Sequence, residues 1–333
     1  MRPLAVATLA LLAAAGATAA DLSTFERYFE DATMRIDTYH TGNATEETIS
    51  LDRVVRQPVW AGSRVHLEDA YATGGYAVVV YDAASGARIF SRGYDTYFGE
   101  YRTTGPAVKG VLRTYQESAL IPFPRKPIRF VIEARARGGA SHPIFTTEID
   151  PQAYTVVRES PSPGVEVIPA LTCGDPHRCV DIAVLAEGYT ASEEPKFRTD
   201  LARAVATLTA AEPFASAKDR FNISGVYTPS AESGCDEPSR GVWRDTVLGA
   251  GFDALGSERY LLSEDNRAIR DLAAHVPYDA ILIMVNSPRY GGGGIYNLYC
   301  TFTSDNQWTP YVLVHEFGHA FAGLADEYYT SSV

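Results

Sequence analysis

His315, Glu316 and His319 combine residue types and a spacing that suit metal chemistry. Two histidines four residues apart project from one face of a helix, so both imidazoles can reach one cation. Imidazole suits Zn²⁺, and a catalytic zinc has three protein ligands and an open position for water. Glu316 can take a proton from that water, which predicts peptide hydrolysis. The alternative is that both histidines are ordinary polar residues, as we interpret His40.

A third zinc ligand is expected just after the helix. Gly323 is a natural helix end, and Asp326 and Glu327 follow it. In the metzincin pattern the chain turns at a glycine and delivers a ligand three residues later, which is the spacing from Gly323 to Asp326. We favour Asp326 over Glu327 or a residue beyond the chain end. Because the sequence stops at Val333, we expect the peptidase domain to be incomplete at its C-terminus.

The elements around this motif can be predicted from local signals. Thr309 is the expected N-cap of the motif helix, with Pro310 at its first position. The glycine run at 291–294 precedes a predicted strand, Ile295 to Tyr299, which we interpret as an exposed edge that binds substrate by strand addition. The candidate substrate-binding residues are Gly293, Gly294, Ile295 and Tyr296. The alternative is a flexible loop before a purely structural strand.

Strand and helix patterns alternate upstream of the motif. Apolar runs at 180–186 and 280–285 predict buried strands. A helix is expected from Ser192, its N-cap, with an apolar face, and another from about Glu264 to Ala274. Residues 171–333 are therefore predicted to form an α/β metallopeptidase domain.

The first half of the chain has strand patterns instead. Apolar and polar residues alternate from Ile128, and Asp82 to Gly86 suits a hairpin loop between two strands. Residues 21–158 are expected to form an antiparallel β-sandwich, and the proline-containing segment 159–170 a linker. The predicted fold class is thus α+β in two domains, an N-terminal antiparallel β-sandwich followed by an α/β zincin-like domain.

The N-terminus and the composition restrict location and partners. Residues 1–20 have the charged start, apolar run and small-residue end of a signal peptide, and the apolar run is too short to span a membrane. We expect a secreted or periplasmic protein without a membrane anchor. The net charge of −12 and the lack of a basic patch argue against nucleic-acid binding.

Four cysteines in an exported protein favour two disulfides over metal ligation. We expect Cys173 to pair with Cys179, which leaves Cys235 to pair with Cys300. The alternative is four reduced, buried thiols.

The run from His315 to Tyr329, together with Tyr290 to Asn297 before it, resembles the IgA-peptidase family of bacterial zinc metallopeptidases. Segments such as Met34 to Asp37 and Trp60 to Ser63 are similar to the β-rich N-terminal domain of that family. Ala186 to Thr190 and Glu258 to Leu261 are similar to its peptidase domain. The resemblance implies zinc on both histidines of the motif, its glutamate as base and an acidic third ligand after the helix. It does not imply that immunoglobulin is the substrate.

Three functions are compatible with these patterns. The first is a secreted zinc-dependent endopeptidase, with Glu316 as general base and a protein or peptide as substrate. The second is a non-catalytic binding or adhesion protein that retains a zincin fold. The third is a zinc amidase that acts on cell-wall peptide. The intact motif favours the first of these, and the oligomeric state is open.

Overall fold

The computed structural model describes residues 22–136, 140–158 and 162–326 of the 333-residue chain. The predicted signal peptide, Glu327 and residues 159–161 of the predicted linker lie outside the described residues. We refer to residues 22–158 as the N-terminal region and to residues 162–326 as the C-terminal region.

Alternating apolar and polar residues form most strands of the N-terminal region. One sheet has the order β5-β1-β2-β8 and the other the order β4-β3-β6-β7, in which only β2 and β8 run parallel. In chain order the elements are α1 (Ser23–Tyr28), β1 (Phe29–Gly42), β2 (Glu47–Gln57), β3 (Tyr76–Asp82), β4 (Arg88–Tyr94), α2 (Tyr97–Tyr101), α3 (Gly105–Val108), β5 (Arg113–Pro124), β6 (Ile128–Arg135), β7 (Ser141–Ile149) and β8 (Val156–Val157). The expected strand from Ile128 is confirmed as β6.

The two sheets share one hydrophobic core. Ile36 of β1 and Phe123 of β5 belong to the same buried cluster as Val80 of β3 and Phe130 of β6. Each of these side chains is at most 1% exposed, and burial of one such side chain contributes about 1.5–3 kcal/mol. The expected hairpin is also present, since β3 and β4 pair antiparallel around the Asp82 turn.

A buried polar cluster holds α2 in place. The Nδ1 and Nε2 atoms of His40 lie 3.0 Å from Glu117 and 3.0 Å from Glu47, and Phe98 of α2 stacks on the imidazole. Burial lowers the pKa of His40, but the hydrogen bonds to the two carboxylates outweigh it and raise this pKa above its usual value. His40 is therefore a buried structural residue.

The C-terminal region alternates strands and helices. Its elements are β9 (Glu166–Leu171), β10 (Val180–Glu187), α4 (Glu194–Ala210), β11 (Phe221–Tyr227), α5 (Asn266–Ala273), β12 (Ala280–Val285), β13 (Gly292–Ile295), β14 (Tyr299–Thr303) and α6 (Thr309–Ala322). Short 3-10 helices cover Ala191–Glu193, Ala215–Arg220, Pro238–Arg240 and Ala254–Gly256. None of the helices in the described ranges is both long enough and apolar enough to cross a bilayer.

One six-stranded sheet organises this region. Its order is β13-β14-β12-β10-β11-β9; the four inner strands run parallel, and both edge strands are antiparallel to their neighbours. Val184 of β10 packs with Phe197 of α4 and Phe317 of α6 on one face. Leu185 packs with Ile269 of α5 on the other face, where α2 also docks. The N-terminal region thus covers the face opposite α6.

Three local predictions need correction. Ser192 is not the helix N-cap, because Thr190 and Glu193 form a capping box one turn before α4. The second helix is shorter than expected, because the Asp265 carboxylate caps it by accepting from the Ala268 N–H. Residues 166–170 of the predicted linker belong to β9, which pairs with β11.

The disulfide prediction is half right. Cys173 and Cys179 are bonded, whereas Cys235 and Cys300 are free and buried. These two free thiols belong to hydrophobic clusters on opposite faces of the six-stranded sheet, which keeps them apart. Sequence pairing by elimination could not detect this separation.

Candidate metal centre

Helix α6 carries the motif and turns it toward a cleft. Val312, Leu313 and Phe317 bury one side of the helix against the sheet, so His315 and His319 are left only partly buried on its other side. Thr309 is not the N-cap; it is the first helical residue, and its hydroxyl donates to the Thr303 carbonyl at 2.7 Å. Pro310 is accordingly the second helical residue and not the first, whereas the predicted end of the helix at Gly323 is confirmed.

Three side-chain atoms form a nearly equilateral triangle. The Nε2 atoms of His315 and His319 lie 3.1 Å apart, and Oδ1 of Asp326 lies 3.2 Å from each of them. Ligand atoms on a tetrahedral zinc with bonds of about 2.0–2.1 Å are separated by about 3.3–3.4 Å. The triangle therefore matches one face of a zinc coordination tetrahedron, and its two imidazoles and one carboxylate are a donor set that zinc accepts.

The turn after α6 brings Asp326 to the histidines. Gly323 has φ of 64°, a left-handed conformation that suits glycine, and its N–H donates to the His319 carbonyl at 2.9 Å. The chain then reverses, and the Leu324 carbonyl accepts from Nδ1 of His319 at 2.5 Å. Because a carbonyl only accepts, this nitrogen carries the proton and leaves the Nε2 lone pair for a metal.

Glu316 lies beside this triangle. A carboxylate oxygen of Glu316 and one ring nitrogen each of His315 and His319 lie within 4.8 Å of one another. Burial raises the pKa of the Glu316 carboxyl to about 7. Burial also lowers the pKa of His315, which favours the neutral imidazole that a metal needs. A nearby dication would lower the pKa of Glu316 again. The ionised carboxylate could then accept a proton at neutral pH.

Comparison with known families agrees with this geometry. A family model described as IgA Peptidase M64 matches residues 168–333, and one described as the Peptidase M64 N-terminus matches residues 24–146. The chain belongs to the IgA peptidase M64 family. No curated protein gave a match to the sequence. The family supports assignment as a peptidase, a hydrolase with a protein or peptide substrate.

The glycine run is a strand in this M64 protein. The predicted strand Ile295 to Tyr299 is wrong: β13 spans Gly292–Ile295, and Tyr296 to Leu298 form the turn to β14. Asn297 has φ of 56°, which favours a turn over a strand. An edge strand does lie beside the motif helix, but it consists of Gly292 to Ile295 and not of the predicted residues.

The glycines allow β13 to approach α6. A Cβ atom on Gly292 would lie 3.0 Å from Cγ of Glu316, and one on Gly294 would lie 2.4 Å from its backbone oxygen. A Cβ on Gly291 or Gly293 would instead meet the Phe252 ring or Leu262 on the opposite face. Successive residues of a strand point to opposite faces of the sheet, which explains why the four glycines face α6 and the opposite side in turn. On both faces the neighbouring atoms leave too little room for a side chain.

Replacing Gly294 with alanine should destabilise the protein. We expect the free energy of unfolding to fall by about 1–3 kcal/mol, because the added methyl group overpacks the contact with α6. Urea denaturation followed by circular dichroism measures the change. Gly105→Ala is the matched control, since a Cβ there meets no heavy atom within 4 Å. Equal stability of Gly294→Ala and the wild type would contradict the close approach.

The N-terminal region supports the β13–β14 turn. The Asn297 N–H donates to the Ala320 carbonyl of α6 at 2.8 Å, and the Asn297 side chain donates to the Gly93 carbonyl of β4 at 2.7 Å. The Asp95 N–H donates to the Tyr296 carbonyl at 2.9 Å. This turn therefore joins the C-terminal end of α6 to β4 of the other region.

The cleft contains residues that sequence reasoning missed. A cavity beside the triangle is lined by Gly293, Gly294, Ile295 and Tyr296, as expected, and also by Asp95, Glu100, Arg259, Tyr260, Tyr290 and Tyr311. Two of these additional residues come from the N-terminal region. Nothing in the sequence signals such a contribution, because it depends on how the two regions dock.

Proposed function

We propose that this M64 protein is an exported zinc-dependent endopeptidase. The observation that carries the proposal is the triangle of His315, His319 and Asp326, whose edges fit a zinc ion, with Glu316 beside it. The antiparallel edge strand over the motif helix supports a zincin-like peptidase domain. The two N-terminal sheets on one core support the β-sandwich interpretation.

Each residue of the centre has a chemical role. A bound zinc would polarise the substrate carbonyl and lower the pKa of a water toward about 7. Glu316 accepts the proton of the attacking water and then donates it to the leaving amine nitrogen. His319 is oriented by its hydrogen bond to the Leu324 carbonyl, and Asp326 reaches the centre because Gly323 permits the tight turn.

The outer edge of β13 is the proposed substrate-binding strand. The N–H and C=O of Gly292 bond outward, to the Arg259 carbonyl and the Leu261 N–H. Because alternate residues of a strand point the same way, the N–H and C=O of Gly294 also face outward. Neither group has a partner among the described residues. A substrate backbone can pair there by strand addition.

Gly294 is therefore the central member of the four candidate substrate-binding residues. By the same alternation, the backbone N–H and C=O groups of Gly293 and Ile295 point toward β14. The Tyr296 carbonyl already accepts a hydrogen bond from the Asp95 N–H. Their contribution is restricted to lining the cleft beside the substrate chain. The predicted role thus narrows to one backbone position.

The proposal that the protein is exported is based on the first twenty residues, which have the features of a signal peptide. The bond between Cys173 and Cys179 supports an oxidising compartment. Cell fractionation of the full-length chain tests this directly.

Removal of metal should abolish cleavage reversibly. After dialysis against 1,10-phenanthroline, we expect hydrolysis of a mixed peptide library to fall below about 1% of its starting rate and to return on addition of Zn²⁺. Mass spectrometry of the products measures the rate, and circular dichroism confirms that the metal-free protein stays folded. Undiminished cleavage by metal-free protein would contradict the proposal. Cleavage restricted to cell-wall peptides would favour the amidase.

A further inference from the structure

A short segment runs along the outer side of β13. Tyr260 forms a parallel bridge with Gly292, in which the Leu261 N–H donates to the Gly292 carbonyl at 3.2 Å and the Gly292 N–H donates to the Arg259 carbonyl at 3.4 Å. Adjacent strands lie about 4.8 Å apart. The backbone of Tyr260 is thus one strand spacing from Gly292, on which a Cβ atom would lie 3.0 Å from Cγ of Glu316.

The bridge also defines which face the Tyr260 side chain occupies. Side chains of directly paired residues in neighbouring strands project to the same face of a sheet. A Cβ on Gly292 would point at Val312 and Glu316 of α6, with Cγ of Glu316 only 3.0 Å away. Leu261, the next residue, is fully buried in the core cluster of the opposite face. Tyr260 therefore extends over the face that carries Glu316.

The phenol of Tyr260 reaches the cleft without a partner. Tyr260 is 38% exposed and lines the same cavity as His315, Glu316 and Asp326. Its hydroxyl makes no hydrogen bond to any residue that the structure describes. Burial, together with the carboxylates of Glu100 and Glu316, raises the pKa of this phenol above its usual value. A protonated phenol can donate a hydrogen bond, so this hydroxyl is available as a donor in the cleft.

We propose that Tyr260 is a catalytic residue whose hydroxyl donates a hydrogen bond to the substrate carbonyl oxygen as that oxygen becomes an oxyanion. The inference rests on the proposed peptidase function and deepens it. The Tyr260 hydroxyl is an unpartnered donor among the described residues, and the backbone holds Tyr260 beside Glu316. In acyl transfer, donors placed in this way stabilise the oxyanion.

The step balances without a further reactant. Water oxygen attacks the carbonyl carbon, the C=O π pair moves to oxygen, and one water proton goes to Glu316. The Tyr260 O–H stabilises the resulting oxyanion and keeps its own proton. When the oxyanion reforms the C=O bond, the C–N bond breaks and Glu316 delivers its proton to the departing nitrogen. Tyr260 is thus a donor, whereas proton transfer belongs to Glu316.

Tyr290 provides the matched comparison. It lines the same cavity and is 42% exposed, close to the 38% of Tyr260. No strand bridge aligns Tyr290 with a residue that contacts Glu316 within the described part of the chain. The two tyrosines therefore differ mainly in their placement relative to the base.

The test compares Tyr260→Phe and Tyr290→Phe in the zinc-loaded full chain. We expect Tyr260→Phe to lower kcat by on the order of 10²-fold while KM changes less than about 3-fold, because the hydrogen bond forms only as charge develops on oxygen. A phosphinic peptide, which mimics the tetrahedral species, should bind Tyr260→Phe weaker by a similar factor. Zinc content should be unchanged, and Tyr290→Phe should lose less than about 5-fold in kcat.

Two results would overturn the inference. One is a kcat of Tyr260→Phe equal to that of the wild type, and the other is equal weakening of substrate and phosphinic peptide, which indicates ordinary binding. A wild type that binds neither zinc nor the phosphinic peptide overturns the proposed function as well. The two failures are therefore distinguishable.

Discussion

Glu316→Gln lowers kcat for peptide hydrolysis by on the order of 10³-fold while leaving the zinc content intact; this is the largest kinetic effect that we expect. The amide has nearly the same shape as the carboxylate but cannot accept the proton of the attacking water. The two histidines and Asp326 already supply three ligand atoms, so the loss of the Glu316 carboxylate should not release the metal. Steady-state kinetics on a cleaved peptide measures the change.

Glu316→Asp serves as the control, because it keeps the acid–base function but shortens the side chain. It should recover part of the lost activity. A Glu316→Gln variant with more than about a tenth of the wild-type kcat would contradict the role of this residue as general base.

Asp326→Ala should weaken zinc binding by at least about 100-fold. Its Oδ1 atom closes the ligand triangle at 3.2 Å from both histidine nitrogens, and the loss of a direct ligand should exceed the 10–100-fold effect of a residue that only supports a ligand. Competition with a fluorescent zinc chelator measures the dissociation constant. Circular dichroism shows whether the variant remains folded.

Glu327→Ala is the matched control for this experiment, since Glu327 is the alternative third ligand in the sequence. We expect its zinc affinity to stay within about 3-fold of the wild type. Retained affinity in Asp326→Ala together with lost affinity in Glu327→Ala would transfer the ligand role to Glu327.

Much of the fold could be predicted because the local pattern of apolar and polar residues indicates which side chains are buried. The apolar runs that became β10 and β12 and the alternation in β6 are local patterns, and the sequence alone indicates them. The caps were less predictable. Several polar residues near a helix start can accept a backbone hydrogen bond, so the sequence does not separate Ser192 from Thr190, which forms the capping box. At α6 the cap position is Trp308, whose side chain makes no capping hydrogen bond, so no side-chain signal indicates it.

Some residues of the candidate site could be predicted from the sequence and others could not. His315, Glu316 and His319 lie on one helix, and Asp326 follows a glycine turn, so helix periodicity and turn chemistry indicate them. The glycine run has no strand pattern in the sequence, because glycine is required there by the close packing of β13 against α6. The predicted bond between Cys235 and Cys300 is wrong for a similar reason, since the sheet separates the two thiols.

The sequence indicates no role for Tyr260, although the segment Glu258 to Leu261 resembles the peptidase domain of the family. Its position depends on a single bridge between segments 32 residues apart, Tyr260 and Gly292. Asp95 and Glu100 reach the cleft only because α2 docks on the C-terminal region. These contributions arise from long-range contacts, which composition and periodicity do not record.

Zinc bound per chain in the purified protein and in Glu316→Gln, measured beside cleavage of a peptide library, tests the central claim most directly. We expect close to one zinc per chain in both proteins and cleavage by the wild type alone. Absence of zinc from the wild type, or equal cleavage by both proteins, would contradict the assignment of His315, His319 and Asp326 as the ligands of a catalytic zinc with Glu316 as its base.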